Sequence, residues 1–174
     1  MATKKFAWVL FGILVISTWV LGSANQATAE TLNFKSYNYG IKQEAIPIGD
    51  VEGHTLIFDL RRGFYVFENG EVATANQVVQ NEEIKGGASI LTYITLTFTD
   101  GSTIIIKGQG TVGGIALRAT ALGAFKNEII KGTGRFEGIK GTSSSKSKLI
   151  PPEAGEISPK SFGEGSITYT LPSK

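Results

Sequence analysis

Apolar and polar residues alternate with a period of two along most of this chain, and turn dipeptides break the alternation at short intervals. A strand sends successive side chains to opposite faces, so this pattern predicts sheet with one face buried. No long segment past residue 29 sustains apolar residues at i, i+3, i+4 and i+7 between proper caps, which rules out a helical frame. Residues 55–60 read as one strand and residues 64–67 as another. The Asn69-Gly70 dipeptide closes the second; it tolerates positive φ at both central positions of a tight hairpin. Residues 71–80 then form the returning strand. Residues 90–99 and 103–112 flank Asp100-Gly101. A two-residue loop there pairs Phe98 with Thr103 and mixes the faces. A three-residue loop, residues 100–102, pairs Phe98 with Ile104 and Leu96 with Ile106, and leaves Tyr93, Thr95 and Thr97 together on the more polar face.

Further along, residues 115–125 fit either a short helix or a strand and loop, and residues 127–131 a short strand. Residues 135–149 begin apolar and become Ser/Lys-rich. Residues 151–160 hold three of the five prolines and read as a surface loop. Ile167, Tyr169 and Leu171 alternate with polar neighbours in a closing strand. The sum is an all-β chain of about eight short antiparallel strands with many glycines at bends, a pattern met by a small closed barrel, which removes exposed sheet edges. The phenylalanines are expected to fill its core or line its mouth.

The first 29 residues stand apart. Lys4 and Lys5 precede an uncharged apolar run, and Ala27-Thr28-Ala29 supplies the small-x-small exit that a signal peptidase accepts. We read residues 1–29 as a signal peptide and residues 30–174 as a single β-barrel domain, exported to a periplasmic or extracellular space. An N-terminal membrane anchor is the alternative. Ala24 stands where a lipoprotein box carries its cysteine, so no lipid is attached there.

Composition narrows the chemistry. With no cysteine in 174 residues, disulfide scaffolds, thiol enzymes, iron–sulfur clusters and zinc sites built on cysteine are excluded; a single histidine offers too few nitrogen ligands for other zinc sites, and neither metal nor cofactor is expected. Setting aside Lys4 and Lys5, the 17 basic residues fall to 15 and equal the 15 acidic ones. The driving force for nucleic acid, or for a membrane once the leader is cleaved, is therefore absent.

The most informative segment is Gly132-Thr133-Gly134-Arg135-Phe136-Glu137-Gly138-Ile139-Lys140-Gly141. It resembles the G-[TS]-G-x-F-E-G-x-x-G turn-and-strand motif of allene oxide cyclases, carried in looser form by the wider cyclase and dirigent barrel superfamily. The match rests on Gly132, Thr133, Gly134, Phe136, Glu137, Gly138 and Gly141. The resemblance implies an eight-stranded barrel with a mostly apolar lumen, often assembled as trimers. It is chiefly a folding motif. Residues 33–44 do not reproduce the carboxylate and amide that the plant cyclases place near their first strand, so no catalytic residue carries over.

Other motifs have plainer readings. Gly108, Gly110 and Gly113 fit G-x-G-x-x-G, with Glu128 beyond, but a dinucleotide site needs a parallel βαβ unit and this segment reads as one arm of a hairpin. Ser143-x-x-Lys146 and Ser145-x-x-Lys148 fit a serine–lysine pattern that a Ser/Lys-rich stretch makes unavoidable. His54, with Asp50 and Glu52 nearby, fits either a general base or a surface turn. Arg61 and Arg118 are further polar residues able to face a lumen, and the ligand-binding candidates are Tyr65, Tyr93, Phe67, Glu68, Gln109 and Glu137. The leading functional expectation is a barrel holding a small apolar or amphipathic molecule in a lumen lined by Phe and Tyr. The alternatives are a cyclase or isomerase that steers a reactive substrate by conformation, and a non-catalytic structural subunit with a packed lumen.

Overall fold

The computed structural model describes residues 28–84, 87–113 and 122–173. Eight strands follow in chain order: β1 Glu30–Pro47, β2 Thr55–Phe67, β3 Val72–Ile84, β4 Gly87–Phe98, β5 Thr103–Gly113, β6 Leu122–Thr133, β7 Lys140–Ile150 and β8 Lys160–Thr170. Each pairs antiparallel with its sequence neighbour, and β1 pairs with β8 to close the barrel. The all-β closed barrel is thus the fold, but its strands are longer than the sequence reading gave them. Residues 55–60 and 64–67 belong to one strand, because Arg61, Arg62 and Gly63 between them continue the ladder against Gln77, Asn76 and Ala75. The signal-peptide reading falls on residues of which 1–27 lie outside the described ones. Residues 114–121, with Arg118 and most of the ambiguous 115–125 segment, also lie outside; residues 122–125 are in β6.

Both tight hairpins differ in detail from the expectation. In each, a three-residue loop ends on glycine: Glu68, Asn69 and Gly70 between β2 and β3, and Thr99, Asp100 and Gly101 between β4 and β5. The closing bonds run from Phe67 N to Glu71 O (2.9 Å) and from Phe98 N to Ser102 O (2.9 Å). Only the glycines take positive φ, 86° at Gly70 and 82° at Gly101, since a left-handed Asn or Asp costs energy that this loop avoids. The Asn69 and Asp100 side chains instead accept the backbone N–H of Glu71 (3.1 Å) and Ser102 (2.9 Å). The β4–β5 ladder therefore pairs Leu96 with Ile104 and Ile94 with Ile106, a shift of register from the expected pairs that leaves every face assignment intact.

The end of the barrel carrying these turns is packed solid. Phe34, Phe67, Phe98, Phe136 and Tyr169 form a continuous run of ring contacts, with centroids 6.1, 5.5, 4.8 and 6.2 Å apart in that order. Leu96, Ile104, Ile106 and Ile167 fill the space beneath them. Burial of each large side chain contributes about 1.5–3 kcal/mol. The Arg135 guanidinium covers the plug from outside, 4.9 Å from the Phe98 ring and 4.7 Å from the Phe136 ring, and pairs with Glu71 at 2.6 Å. The decapeptide forms this end's third turn. Gly134, with φ of 61°, opens a 3-10 turn, Gly134–Phe136, that drives Phe136 into the plug, while Glu137 faces solvent. Thr133 Oγ1 meets Thr103 Oγ1 at 2.7 Å and fixes the turn to β5.

Four phenylalanines are thus gathered at one end, and Phe125 faces the open part of the lumen. Phe58, Phe64 and Phe162 are exposed on the outer face. The opposite end carries the longer connections, residues 48–54 and 151–159, and between it and the plug the lumen is open.

Candidate functional site

A cavity of about 320 Å³ occupies this open part of the lumen. Its origin is an inversion of pattern. On β2, Asp59, Arg61 and Tyr65 point inward while Phe58, Leu60, Phe64 and Val66 point to solvent. On β7, Ser143, Ser145 and Ser147 face inward and Lys146 and Lys148 outward. Small and polar residues therefore line a lumen that the resemblance implied to be mostly apolar. Apolar contact is supplied by Ile57, Val79, Ile90, Ile94, Phe125 and Leu149 among the lining residues.

The two sides of the cavity differ in how their polar groups are used. Around Asn38 of β1, Asp59 and Arg61 of β2 and Gln77 of β3, the groups satisfy one another. Arg61, its side chain 9% exposed, pairs with Asp59 (3% exposed) at 2.7 Å. It also donates to Pro159 O at 2.7 Å and to Asn38 O at 3.4 Å, and the Ser158 hydroxyl reaches Asp59. Gln77 Nε2 donates to Asn38 Oδ1 at 2.9 Å. The Tyr65 phenol, buried against Ser36 and Gln77, is pushed up to about 12 by desolvation, so it stays protonated and serves as a hydrogen-bonding group rather than a base.

On the other side the polar atoms lack protein partners. Among the described residues, Asn81 Oδ1, Thr92 Oγ1 and Asn127 Oδ1 are buried without a hydrogen bond, and all three residues line the cavity. Each such group costs about 1–3 kcal/mol when left unsatisfied, so the three together weaken this part of the wall. Gly108 brings two of them together: it lies between Thr92 and Asn127 across β4, β5 and β6. A Cβ there would run into Asn127 Oδ1 and lie 2.8 Å from Thr92 Cγ2.

Of the six ligand-binding candidates, only Tyr65 lines this cavity. Phe67 faces inward but belongs to the plug. Tyr93 is on the outer face and 40% exposed, because it alternates with the inward Thr92 and Ile94. Glu68 sits in the β2–β3 turn, accepting from Asn33 Nδ2 at 2.9 Å. Gln109 is the outward neighbour of the inward Gly108, and Glu137 is exposed beyond Phe136. Glu68 and Gln109 line a second concavity, larger at about 1140 Å³ but open, on the outer surface among Lys35, Lys126, Lys146 and Glu164. Those charges are solvated, and among the described residues no buried polar atom without a partner lies there, so the lumen is the better site.

The remaining motifs resolve geometrically. Gly108 and Gly110 lie in a strand that pairs antiparallel with both β4 and β6, not in a parallel βαβ unit, and make room for Asn127 and Phe125. Ser143 and Ser145 point inward and Lys146 and Lys148 outward, so no serine meets its lysine. His54 Nδ1 lies 2.6 Å from Asp50 and Nε2 lies 3.2 Å from Glu82. With both ring nitrogens held, His54 has none to offer a substrate, and the Asp50 hydrogen bond raises its affinity for a proton. Among the described residues, no cluster of His, Asp or Glu is arranged to hold a metal.

The sequence signal that points to the cavity is the alternation Ser143, Ser145, Ser147 against Lys146 and Lys148: a strand with a solvated outer face and a small polar inner one. Asp59, Asn81, Thr92 and Asn127 give no such signal singly.

No family model and no curated protein matches this sequence. Solved structures do match. The pterocarpan synthase dirigent protein GePTS1 aligns over 83% of this chain and 92% of its own, with 13% identity and a TM-score of 0.50. The pterocarpan synthase dirigent protein PsPTS1 aligns over 84% and 97%, with 15% identity and a TM-score of 0.50. The chain shares the dirigent-like eight-stranded barrel, and at this identity the likeness is one of fold.

Proposed function

We propose that this protein binds a small amphipathic molecule in its barrel lumen, with the molecule's apolar body against Ile57, Ile90, Ile94 and Phe125 and its polar groups on Asn81, Thr92 and Asn127. The observation that carries this reading is the set of three buried, unpartnered polar atoms around one cavity. A lumen packed from end to end, as a structural subunit requires, has no such space. The second reading, a cyclase or isomerase that holds a flexible substrate in one conformation, draws support from neighbours whose names describe them as synthases. It needs little acid–base machinery, which suits a lumen whose Asp59 is engaged by Arg61 and Ser158 and whose Tyr65 holds its proton. We also carry export by the leader as part of the proposal. Assembly of copies through the outer face belongs to it too, supported by the exposed Tyr39, Leu60, Phe64, Val66 and Val78.

The test is native mass spectrometry of the protein purified from its producer, beside a Ser145→Leu variant that fills the lumen. A bound small molecule on the parent protein and none on the variant is the expected result. Retention of the same molecule by the variant refutes lumen binding, and a purely monomeric mass refutes the assembly.

A further inference from the structure

The charge of the lumen selects among amphipathic ligands. Its lining holds two carboxylates, Asp59 and Glu83, and one guanidinium, Arg61, which is already bonded to Asp59. No unengaged cation faces the cavity among the described residues, so an anionic ligand finds no counter-charge. Glu83 is different. It lies on the inner side of β3 at the cavity rim, half-buried, with no ion-pair partner among the described residues. Two residues inward on the same strand is Asn81, and deeper still are Thr92, 7% exposed, and Asn127, 8% exposed. The free atoms at these positions are carboxylate oxygens, amide oxygens and a hydroxyl, so each of them accepts and only the Thr92 hydroxyl also donates. Asn127 Nδ2 points toward Ser143 Oγ at 3.5 Å, and its Oδ1, set against Gly108, has no partner.

Resting on the lumen-binding reading, we propose that the ligand is a small organic cation: an ammonium that reaches Glu83 at the rim, on an apolar body ending in a hydrogen-bond donor that reaches Thr92 and Asn127. A site richer in acceptors than donors discriminates against ligands that offer only acceptors, because the Asn81 and Asn127 amide oxygens then remain unpaired. Burial raises the Glu83 carboxyl above its ordinary range, an effect that an ammonium beside it offsets.

Three probes of one shape isolate the charge: tyramine, its neutral alcohol tyrosol, and the anion 4-hydroxyphenylacetate. Binding to the intact protein is followed by calorimetry, and the site is mapped by amide-shift NMR. Tyramine is expected to bind about tenfold or more tightly than tyrosol, and tyrosol more tightly than the anion. Glu83→Gln is expected to bring tyramine to within about threefold of tyrosol, and Thr92→Val to weaken both. Glu83 is half-exposed, so its replacement leaves the fold intact. An anion that binds as well as tyramine, an undiminished tyramine preference in Glu83→Gln, or no binding of any probe overturns the assignment. The first two outcomes, with shifts at Asn81 and Asn127, leave lumen binding standing; its own failure is read from the Ser145→Leu comparison.

Discussion

Replacing Arg61 by Met is expected to be among the most damaging single changes to this barrel. The guanidinium is one of two charges buried in the wall, 2.7 Å from Asp59 and 2.7 Å from Pro159 O. Methionine keeps an unbranched apolar stem but lacks the guanidinium and donates nothing. Asp59 would keep only the Ser158 hydroxyl at 3.3 Å, and the Pro159 carbonyl would lose its donor. Removing one partner of a buried pair leaves an uncompensated charge and costs about 3–5 kcal/mol, a large part of the roughly 5–15 kcal/mol that keeps a domain folded. At about 3 °C per kcal/mol for a domain of this size, Tm falls by about 10–15 °C. Urea unfolding, with slopes compared to confirm two-state behaviour, measures the loss. The double variant Asp59→Leu/Arg61→Met removes both charges, and is expected to regain about 2 kcal/mol or more of the single variant's loss, since an apolar pair of similar volume carries no desolvation penalty. A single variant losing less than about 1 kcal/mol, or a double variant no better than the single, would refute the account of this wall as a mutually satisfied pair.

Phe136→Ala opens a cavity where the aromatic run meets Phe98 and Tyr169, and is expected to cost about 3–5 kcal/mol by denaturant unfolding. Gly108→Ala introduces a methyl into the Thr92–Asn127 contact; the Asn127 side chain can yield, so stability should fall toward the low end of about 1–3 kcal/mol while lumen binding is lost, as read by calorimetry. His54 sits between Asp50 and Glu82, and its proton affinity is raised above the ordinary 6.5, chiefly by the Asp50 hydrogen bond. A raised folded-state value means stability that is fully present below the ordinary imidazole range and lost as pH climbs through the raised one. Asp50, lowered from 3.8 mainly by the same bond, contributes above its ordinary value and loses that contribution as pH falls. His54→Gln should therefore flatten the dependence of Tm on pH upward from 6.5; an unchanged slope counts against the bridge.

The frame of this protein was legible because its rule is local. Alternation such as Leu96, Phe98 against Thr95, Thr97 fixes which residues face inward whatever the register, so the β4–β5 faces are the expected ones even though the loop lies one residue earlier than expected. Gly70 and Gly101 announced their turns because positive φ admits few residues. The decapeptide announced the Phe136 turn for the same reason. What local rules could not give was strand length: Arg61, Arg62 and Gly63 look like an interruption until Gln77, Asn76 and Ala75 are set beside them.

The site was hidden by the assumption that inward means apolar. That assumption holds at the plug, where Phe34, Phe67, Phe98 and Phe136 exclude water, and fails a few residues further along the same strands. On β2 the inner face passes from Phe67 and Tyr65 to Arg61 and Asp59, while Phe64 and Leu60 occupy the outside. Hydrophobicity alone assigns the second half of this strand to the wrong face. The inversion is tolerated because the two ends divide the work. The aromatic plug supplies the burial that closes the barrel, which leaves the other half of the lumen free to carry polar groups that cost stability. A barrel whose lumen had to hold itself together could not leave Asn81, Thr92 and Asn127 unpaired. Filling the cavity with apolar side chains at Thr92 and Asn127 should by this logic stabilise the fold while abolishing binding, and a Thr92→Val/Asn127→Leu variant less stable than the parent would break the link between the plug and the site.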